Sequence, residues 1–570
     1  MSEQKQENLL NISLEVTEEE RKKSPDLDAG VSSSGEMWEL IVKYSGDIEY
    51  LRQKYPQAEF IELLSRYAVV NTPKEYIESI SDENVIEYVE KPKLFYFDLA
   101  NSLSVSCVSE LQRGFNNPYK LFGEGVITAV IDTGIDMFRS EFLRADGSSR
   151  IIGIYDQTTE TELSEEQINS IVNVTSDVNV RLSRNPATDN QTAGYDFIGH
   201  GTNVALIACG NNGVASNSDI LVVKLGVASA NSFPRTTQLM RAVDYVIRKA
   251  EQLGRPVAIN ISIGNNYGDH AGNSLLERYL NDVSFYWKSV ICVGSGNEGS
   301  AATHTFGYLT DEQEIDVEIA VSTYETSLNI QIWKDYADDF DIEIITPSGE
   351  NLGRVGRYNY VNRTVTRDTI VLSYYGEPSP YTVRQEIYID LVPVNNYIQY
   401  GIWKIRLIPK KTVVGRFDMW LPSEKSLNQG TGFVNPVEEL TLTIPSTAQN
   451  VITVGAYNAS TTIYAPFSGA GYVISTGASI LAKPEIAAPG VNIRLDENTT
   501  VTGTSFATPF VTGSAALLME WGIVRDNDPY LYGQKVKAYL IRGARELPGF
   551  MEYPNERVGW GVLCVSESLP

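Results

Sequence analysis

Three short stretches of this 570-residue chain carry residues able to do nucleophilic chemistry. IDTGID ends an apolar run, GVITAVIDTG, and sets Asp132 at the carboxyl end of what reads as a strand, where open α/β sheets place their sites. FIGHGTNVALIACG puts His200 between glycines, just before a helix-like run. VTGTSFATPFVTGSAALLME opens on Thr504 and Ser505 and then carries no charge until Glu520. A serine hydroxyl is nearly inert at neutral pH. It becomes a nucleophile when a base lies within hydrogen-bond reach and a carboxylate holds that base in the right tautomer. Each residue alone has an ordinary reading: a turn acid, a structural or solvated histidine, a helix N-cap. An aspartic protease also uses DTG, but it needs two such loops, and no second DTG or DSG is present. The other histidines, His270 and His304, lack the flanking glycines and the helical run of His200.

The elements that must position these groups can be read from periodicity. From Gly125 short apolar runs alternate with helical stretches: GVITAVIDTG, DILVVKLGV, PVAINISIG and SVICVGSGNEG are the strands. TTQLMRAVDYVIRKAEQLG is a helix with Leu239, Val243, Val246 and Ala250 on one face. Continuous apolar strands alternating with helices predict a parallel sheet covered on both faces. After His304 the texture changes to period two, as in Ile315, Val317 and Ile319, or Trp403, Ile405 and Leu407, with turn signals such as TPSG between. NVITVGAYN then returns to the parallel pattern. Upstream, MWELIVKYSG reads as a strand, DIEYLRQKYPQ as a helix, AEFIELLSRYAVVNTP as one strand, and ESISDENVIEYVEKPKLFYF as a helix and a last strand.

The expected division is a disordered tail at 1–35, a small α+β domain at 36–98, an α/β domain at 99–303 and 446–570, and between its halves an inserted antiparallel β domain, a sandwich or jelly roll, at 304–445. The segment beginning at Thr504 is apolar nearly all round and is predicted to be a buried helix.

Asp, His and Ser in that order, with IDTGID, GHGTNVA and GTSFATP around them, resemble the three signatures of the subtilisin-like serine proteases. GVASNSDILVVKL, NISIG, GSGNEG and KPEIAAPGVNI follow the same course, and the likeness covers 120–303 and 446–545. It implies the subtilisin-like fold, a triad of Asp132, His200 and Ser505, and Asn297 as side-chain donor to the oxyanion. It further implies that Ser262, Ile263 and Gly264 pair with extended substrate. The family has a second histidine where Asn203 stands, and packing or tuning effects are expected there. The family's calcium loop is longer than the CGNNG seen here, so no metal and no cofactor are expected. The unit at 36–98 resembles a subtilase propeptide, which implies self-processing and a propeptide bound in the cleft. The propeptide, the insert and the absence of a signal-peptide pattern together resemble the clostridial Csp germination proteases, which activate the precursor of a spore cortex-lytic enzyme. The alternatives are a general intracellular subtilase and a pseudoprotease-like scaffold with a blocked cleft.

Bulk composition narrows the partners. Forty-six basic against 72 acidic residues give a net charge of −26, which argues against nucleic acid or anionic lipid as the main partner. The N-terminus, MSEQKQENLLNISLEVTEEERKK, lacks the basic start and apolar core of a secretory signal, and no uninterrupted apolar run is long enough to span a bilayer. The protein is expected to be kept inside the cell, in the spore if the likeness holds. Cys107, Cys209, Cys292 and Cys564 stand singly and are expected as buried free thiols.

Overall fold

The computed structural model describes residues 5–32, 34–93, 96–97, 106–112, 119–174, 193–226, 233–358, 361–475, 477, 479–495 and 499–570. Its centre is a sheet in which Ile127–Asp132 is flanked by Val257–Ile261 on one side and Asp219–Lys224 on the other. Ser289–Gly294, Ile452–Asn458 and Ile486–Pro489 extend one edge, and Ile151–Asp156 extends the other, all in parallel. Short antiparallel strands, Thr161–Ser164 and Ile463–Tyr464, close the two ends. Every residue of Ile127–Asp132 is buried because both faces are covered. Alternate side chains serve opposite cores: Val130 packs with the helices His200–Cys209 and Thr504–Met519. Ala129 and Ile131 pack with Thr236–Gln252 and Leu275–Val283. The expected face of Thr236–Gln252, with Leu239, Val243, Val246 and Ala250, is fully buried in that second core.

The N-terminal domain is a four-stranded antiparallel sheet in the order Glu59–Leu63, Tyr67–Pro73, Met37–Tyr44, Ile86–Glu90. The segment expected as one strand is therefore two. The chain reverses at Ser65 and Arg66, which both take positive φ, and a strand cannot pass through two left-handed residues. One face of this sheet packs on its own helices, Glu49–Lys54 and Ile77–Ser81. The other sets Ile41, Tyr67, Val69 and Tyr88 into the core beneath Thr236–Gln252 and Leu275–Val283. The expected processing point near residue 98 lies outside the described residues.

The tail expected to be disordered is folded. Asn8–Glu15, Glu18–Arg21 and Pro25–Asp28 are short helices. A capping box between Thr17 and Glu20 and an N-cap at Ser24 start the second and third. Leu10 enters the core of the small domain, whereas Leu9, Ile12, Val16 and Leu27 pack on Ile370, Leu372, Tyr388 and Val392 of the insert. The apolar residues in this stretch are few, but they find a ready-made surface.

The insert is two antiparallel sheets. One runs in the order His304–Tyr308, Arg416–Trp420, Leu328–Asp335, Arg384–Pro393, Thr369–Tyr375, Val361–Val365. The other runs Asn351–Val355, Asp339–Ile345, Gly401–Lys411, Ile315–Val321, Gly432–Phe433. Trp403, Ile405 and Leu407 lie between them in a separate apolar core, as the period-two pattern predicts.

One further expectation changes. Cys107 and Cys564 form a disulfide across 457 residues of sequence, leaving only Cys209 and Cys292 as buried free thiols. The segment from Thr504 is the buried helix its composition predicts: Thr504–Val524 is long and apolar enough to cross a membrane, but every residue of Thr504–Met519 is buried inside the domain.

Candidate active site

Asp132 ends its strand and His200 begins its helix, and the fold brings them face to face. The Asp132 Oδ1 atom lies 2.7 Å from His200 Nδ1, and both side chains are fully buried. That contact requires the helix to rest almost on the Asp132 turn. A Cβ on Gly201 would sit 2.4 Å from the Gly134 carbonyl oxygen and 3.0 Å from the Asp132 Cβ, so only glycine fits after the histidine. The His200 ring also packs on Phe506, with centroids 5.2 Å apart, which places the imidazole beside the first turn of the helix Thr504–Met519.

Ser505 is the second residue of that helix, not its cap. The N-cap is Gly503, whose φ of 145° belongs to glycine. The backbone N–H of Ser505 is thus one of the donors a helix leaves without an intrahelical acceptor, at the positive end of the dipole. The Ser505 hydroxyl donates to the Ser262 carbonyl at 3.1 Å, and the Ser262 hydroxyl donates back to the Ser505 carbonyl at 2.9 Å. The helix is wholly buried and threads between His200–Cys209 and the sheet, so the serine is carried on a rigid support.

Asn297 follows the strand Ser289–Gly294 and is half-buried. Its Oδ1 accepts from both the N–H (3.0 Å) and the hydroxyl (3.1 Å) of Thr504. Two donors on one oxygen fix which end of the amide is which, and they leave the NH2 group facing Gly503. Thr504 was missed as a functional residue in the sequence, although it stands next to Ser505. The signal was available, since a hydroxyl adjoining the nucleophile can orient a neighbouring amide.

Ser262, Ile263 and Gly264 lie together at the rim of this group. Ile263 and Gly264 pair antiparallel with Phe97 and Tyr96, so the end of the N-terminal domain runs as an added strand beside the segment that follows Ser262. Asn203 lies on the His200 helix, and its N–H caps back to the Gly199 carbonyl. His270 and His304 are committed elsewhere. They stack on the two sides of Trp420, at 4.2 and 4.6 Å, where the insert meets the loop after Gly264. Burial pushes His270 down to about 3. The described groups are thus a buried Asp–His pair, a hydroxyl on the first turn of the neighbouring helix, and an amide whose NH2 end is left facing that turn.

The subtilase family model matches residues 123–377 and 428–561, more than half of the chain. The chain belongs to the subtilase family. Residues 4–93 match the Csp protease B prodomain, a span that begins well before the unit expected at 36–98 and takes in the N-terminal helices. The structure of the Clostridium perfringens CspB protease superposes with a TM-score of 0.73 at 34% identity, over 81% of this subtilase and 95% of that chain. A subtilase-type proteinase of Saccharomyces cerevisiae, RRT12, is 36% identical over 104 residues, 17% of this chain and 18% of the yeast protein. This subtilase thus spans less than a fifth of the yeast relative.

Proposed function

We propose that this subtilase is a serine endopeptidase that cuts itself after its N-terminal domain and then activates another protein by limited proteolysis. In this reading Ser505 Oγ attacks a backbone carbonyl while its hydrogen leaves the Ser262 carbonyl for His200 Nε2. Asp132 holds the Nδ1–H and stabilises the imidazolium. The Asn297 NH2 and the Ser505 N–H receive the oxyanion. His200 then returns the proton to the leaving amine, and water releases the acyl group by the same route.

The observation that supports this reading is the antiparallel pairing of Tyr96–Phe97 with Ile263–Gly264. An extended segment of the chain's own N-terminal domain lies where a substrate would be held by backbone pairing. A cut near residue 98 would leave it there as a bound product. A cleft that pairs with backbone needs an extended segment, so loops of a folded precursor suit it better than folded proteins at large. The likeness to a Csp protease suggests the precursor of a spore cortex-lytic enzyme, inside the spore.

Mass spectrometry of the purified protein tests the first step. Wild type should separate into a propeptide of about 11 kDa, scaled from 63.2 kDa over 570 residues, and a mature part. Ser505→Ala should stay whole. A cleaved Ser505→Ala from a protease-free host removes self-processing. Incubation with casein and with the precursor tests the second step. One discrete cut in the precursor supports the proposal, general degradation of casein supports a broad intracellular subtilase, and no cut with no fluorophosphonate labelling supports a scaffold.

A further inference from the structure

We propose that Asp196 is a positioning residue for the Asp132–His200 pair. It locks together the two elements that carry the pair, and it lends a second negative charge to the imidazolium that forms during the reaction. This rests on the serine-peptidase reading above.

Asp196 stands four residues before His200 and is 6% exposed. Its Oδ1 accepts from the Thr133 hydroxyl at 2.7 Å and from the N–H groups of Ile198 and Gly199 at 3.1 and 2.8 Å. Its Oδ2 accepts from the N–H and the hydroxyl of Thr202, both at 2.8 Å. All five contacts are donated to it, so both oxygens act as acceptors, and the cation in coulombic reach is Lys224, which Asp156 shares.

The two hydroxyls reach the reacting groups. Thr133 follows Asp132, and its N–H donates at 2.7 Å to the Oδ1 that faces His200. Its hydroxyl, already donating to Asp196, accepts the Gly201 N–H at 2.9 Å. The Thr202 hydroxyl accepts the Asp136 N–H at 2.9 Å. One carboxylate thereby ties the Asp132 turn to the first turn of the His200 helix at two points.

His200 is the first residue of its helix, so the dipole opposes a positive imidazole there. Asp132 offsets this directly. The other charged groups around the pair are Lys224, opposite Asp132 in the next strand, Asp156, 3.8 Å from the Lys224 ammonium, and Asp136. Lys224 adds to the dipole, and Asp156 and Asp196 answer it together; two carboxylates facing one ammonium leave a net negative charge for the imidazolium, and Asp196 is the one tied to the His200 helix.

The test is the pH dependence of kcat and KM on a peptide substrate for wild type, Asp196→Asn and Thr133→Val. Asp196→Asn should lower kcat by about 10- to 100-fold with KM little changed, and should move the acid limb of kcat/KM to lower pH by about half a unit or more. Thr133→Val should lower kcat and leave that limb in place, because the charge remains. In the Ser505→Ala background, the NMR titration midpoint of the His200 ring should fall when Asp196→Asn is added, with His270 and His304 as internal references. That readout needs no activity, so an inactive wild type would defeat the peptidase reading without deciding this one. Loss of rate at every pH with neither the limb nor the His200 midpoint moved would overturn the proposal. Should Asp196→Asn fail to fold, wild-type kcat in Thr133→Val would overturn it.

Discussion

Asn297 is the candidate-site residue whose side chain is most firmly oriented by its contacts. Thr504 holds its carbonyl end with two hydrogen bonds, so in the proposed reaction the NH2 end would meet developing negative charge without reorganisation. Asn297→Ala should fold with an unchanged melting temperature and lose on the order of 100- to 1000-fold in kcat on a peptide substrate. Unchanged turnover would take Asn297 out of the mechanism. Gly201 and Gly503 belong to the same scale. The first admits the helix to the Asp132 turn, and the second takes the backbone conformation from which Ser505 emerges.

Among the elements, the N-terminal helices change the picture of the propeptide most. Asn8–Glu15 bridges the small domain and the insert: the Asn8 NH2 group donates to Glu386 at 2.6 Å, and Ser24 from the next helices donates to Asp390 at 2.8 Å. Ile12→Asp would set a charge among Ile370, Leu372, Tyr388 and Val392, at a cost of about 2–4 kcal/mol. The expected outcome is a lower melting temperature and early protease cutting at residues 8–28, with the catalytic domain still intact. Equal protease resistance would mean that these helices do not strap the insert. The insert is itself joined to the substrate-side loop. Asn266 donates to the Leu421 carbonyl, Gln331 donates to the Asn266 carbonyl, and Trp420 is sandwiched by His270 and His304.

At the scale of the whole molecule, the seam between propeptide and insert is rich in buried acids. Burial pushes Glu386 and Asp390 up to about 8, from ordinary values of 4.5 and 3.8. A raised carboxyl contributes stability that is complete below its ordinary value and is lost as pH rises through its folded value. The propeptide should therefore hold more tightly at pH 5 than at pH 7, a window below the region where the buried Lys91, lowered to about 7 by burial, begins to act in the opposite sense. The checking measurement is the melting temperature at the two pH values for wild type and for Glu386→Gln with Asp390→Asn. The double variant should show the smaller decline, and an identical decline would assign the dependence to other groups. The disulfide gives a second check. Denatured, unreduced protein should take up two equivalents of a thiol reagent and reduced protein four, because Cys107 is paired with Cys564. Four without reduction would mean the pair is open.

The sequence by itself determined the central sheet, the separate core of the insert and the residues of the candidate site. These signals are local: a strand buried on both faces must be apolar throughout, a sandwich strand must alternate, and the groups around Asp132, His200 and Ser505 keep their glycines and hydroxyls beside them. Tertiary structure decided the rest. The helices at 8–28 form on a surface supplied by residues some 360 positions away in the chain, so their sparse apolar residues read as a tail. The turn at Ser65–Arg66 interrupts a run that is apolar on both sides of it. Cys107 meets Cys564 only because the two ends of the catalytic part close on each other. Asp196 looks like any loop acid until the fold gathers five donors around it, from the Asp132 turn, its own loop and the His200 helix. Periodicity records which face of an element is buried, but it does not record what that face is buried against.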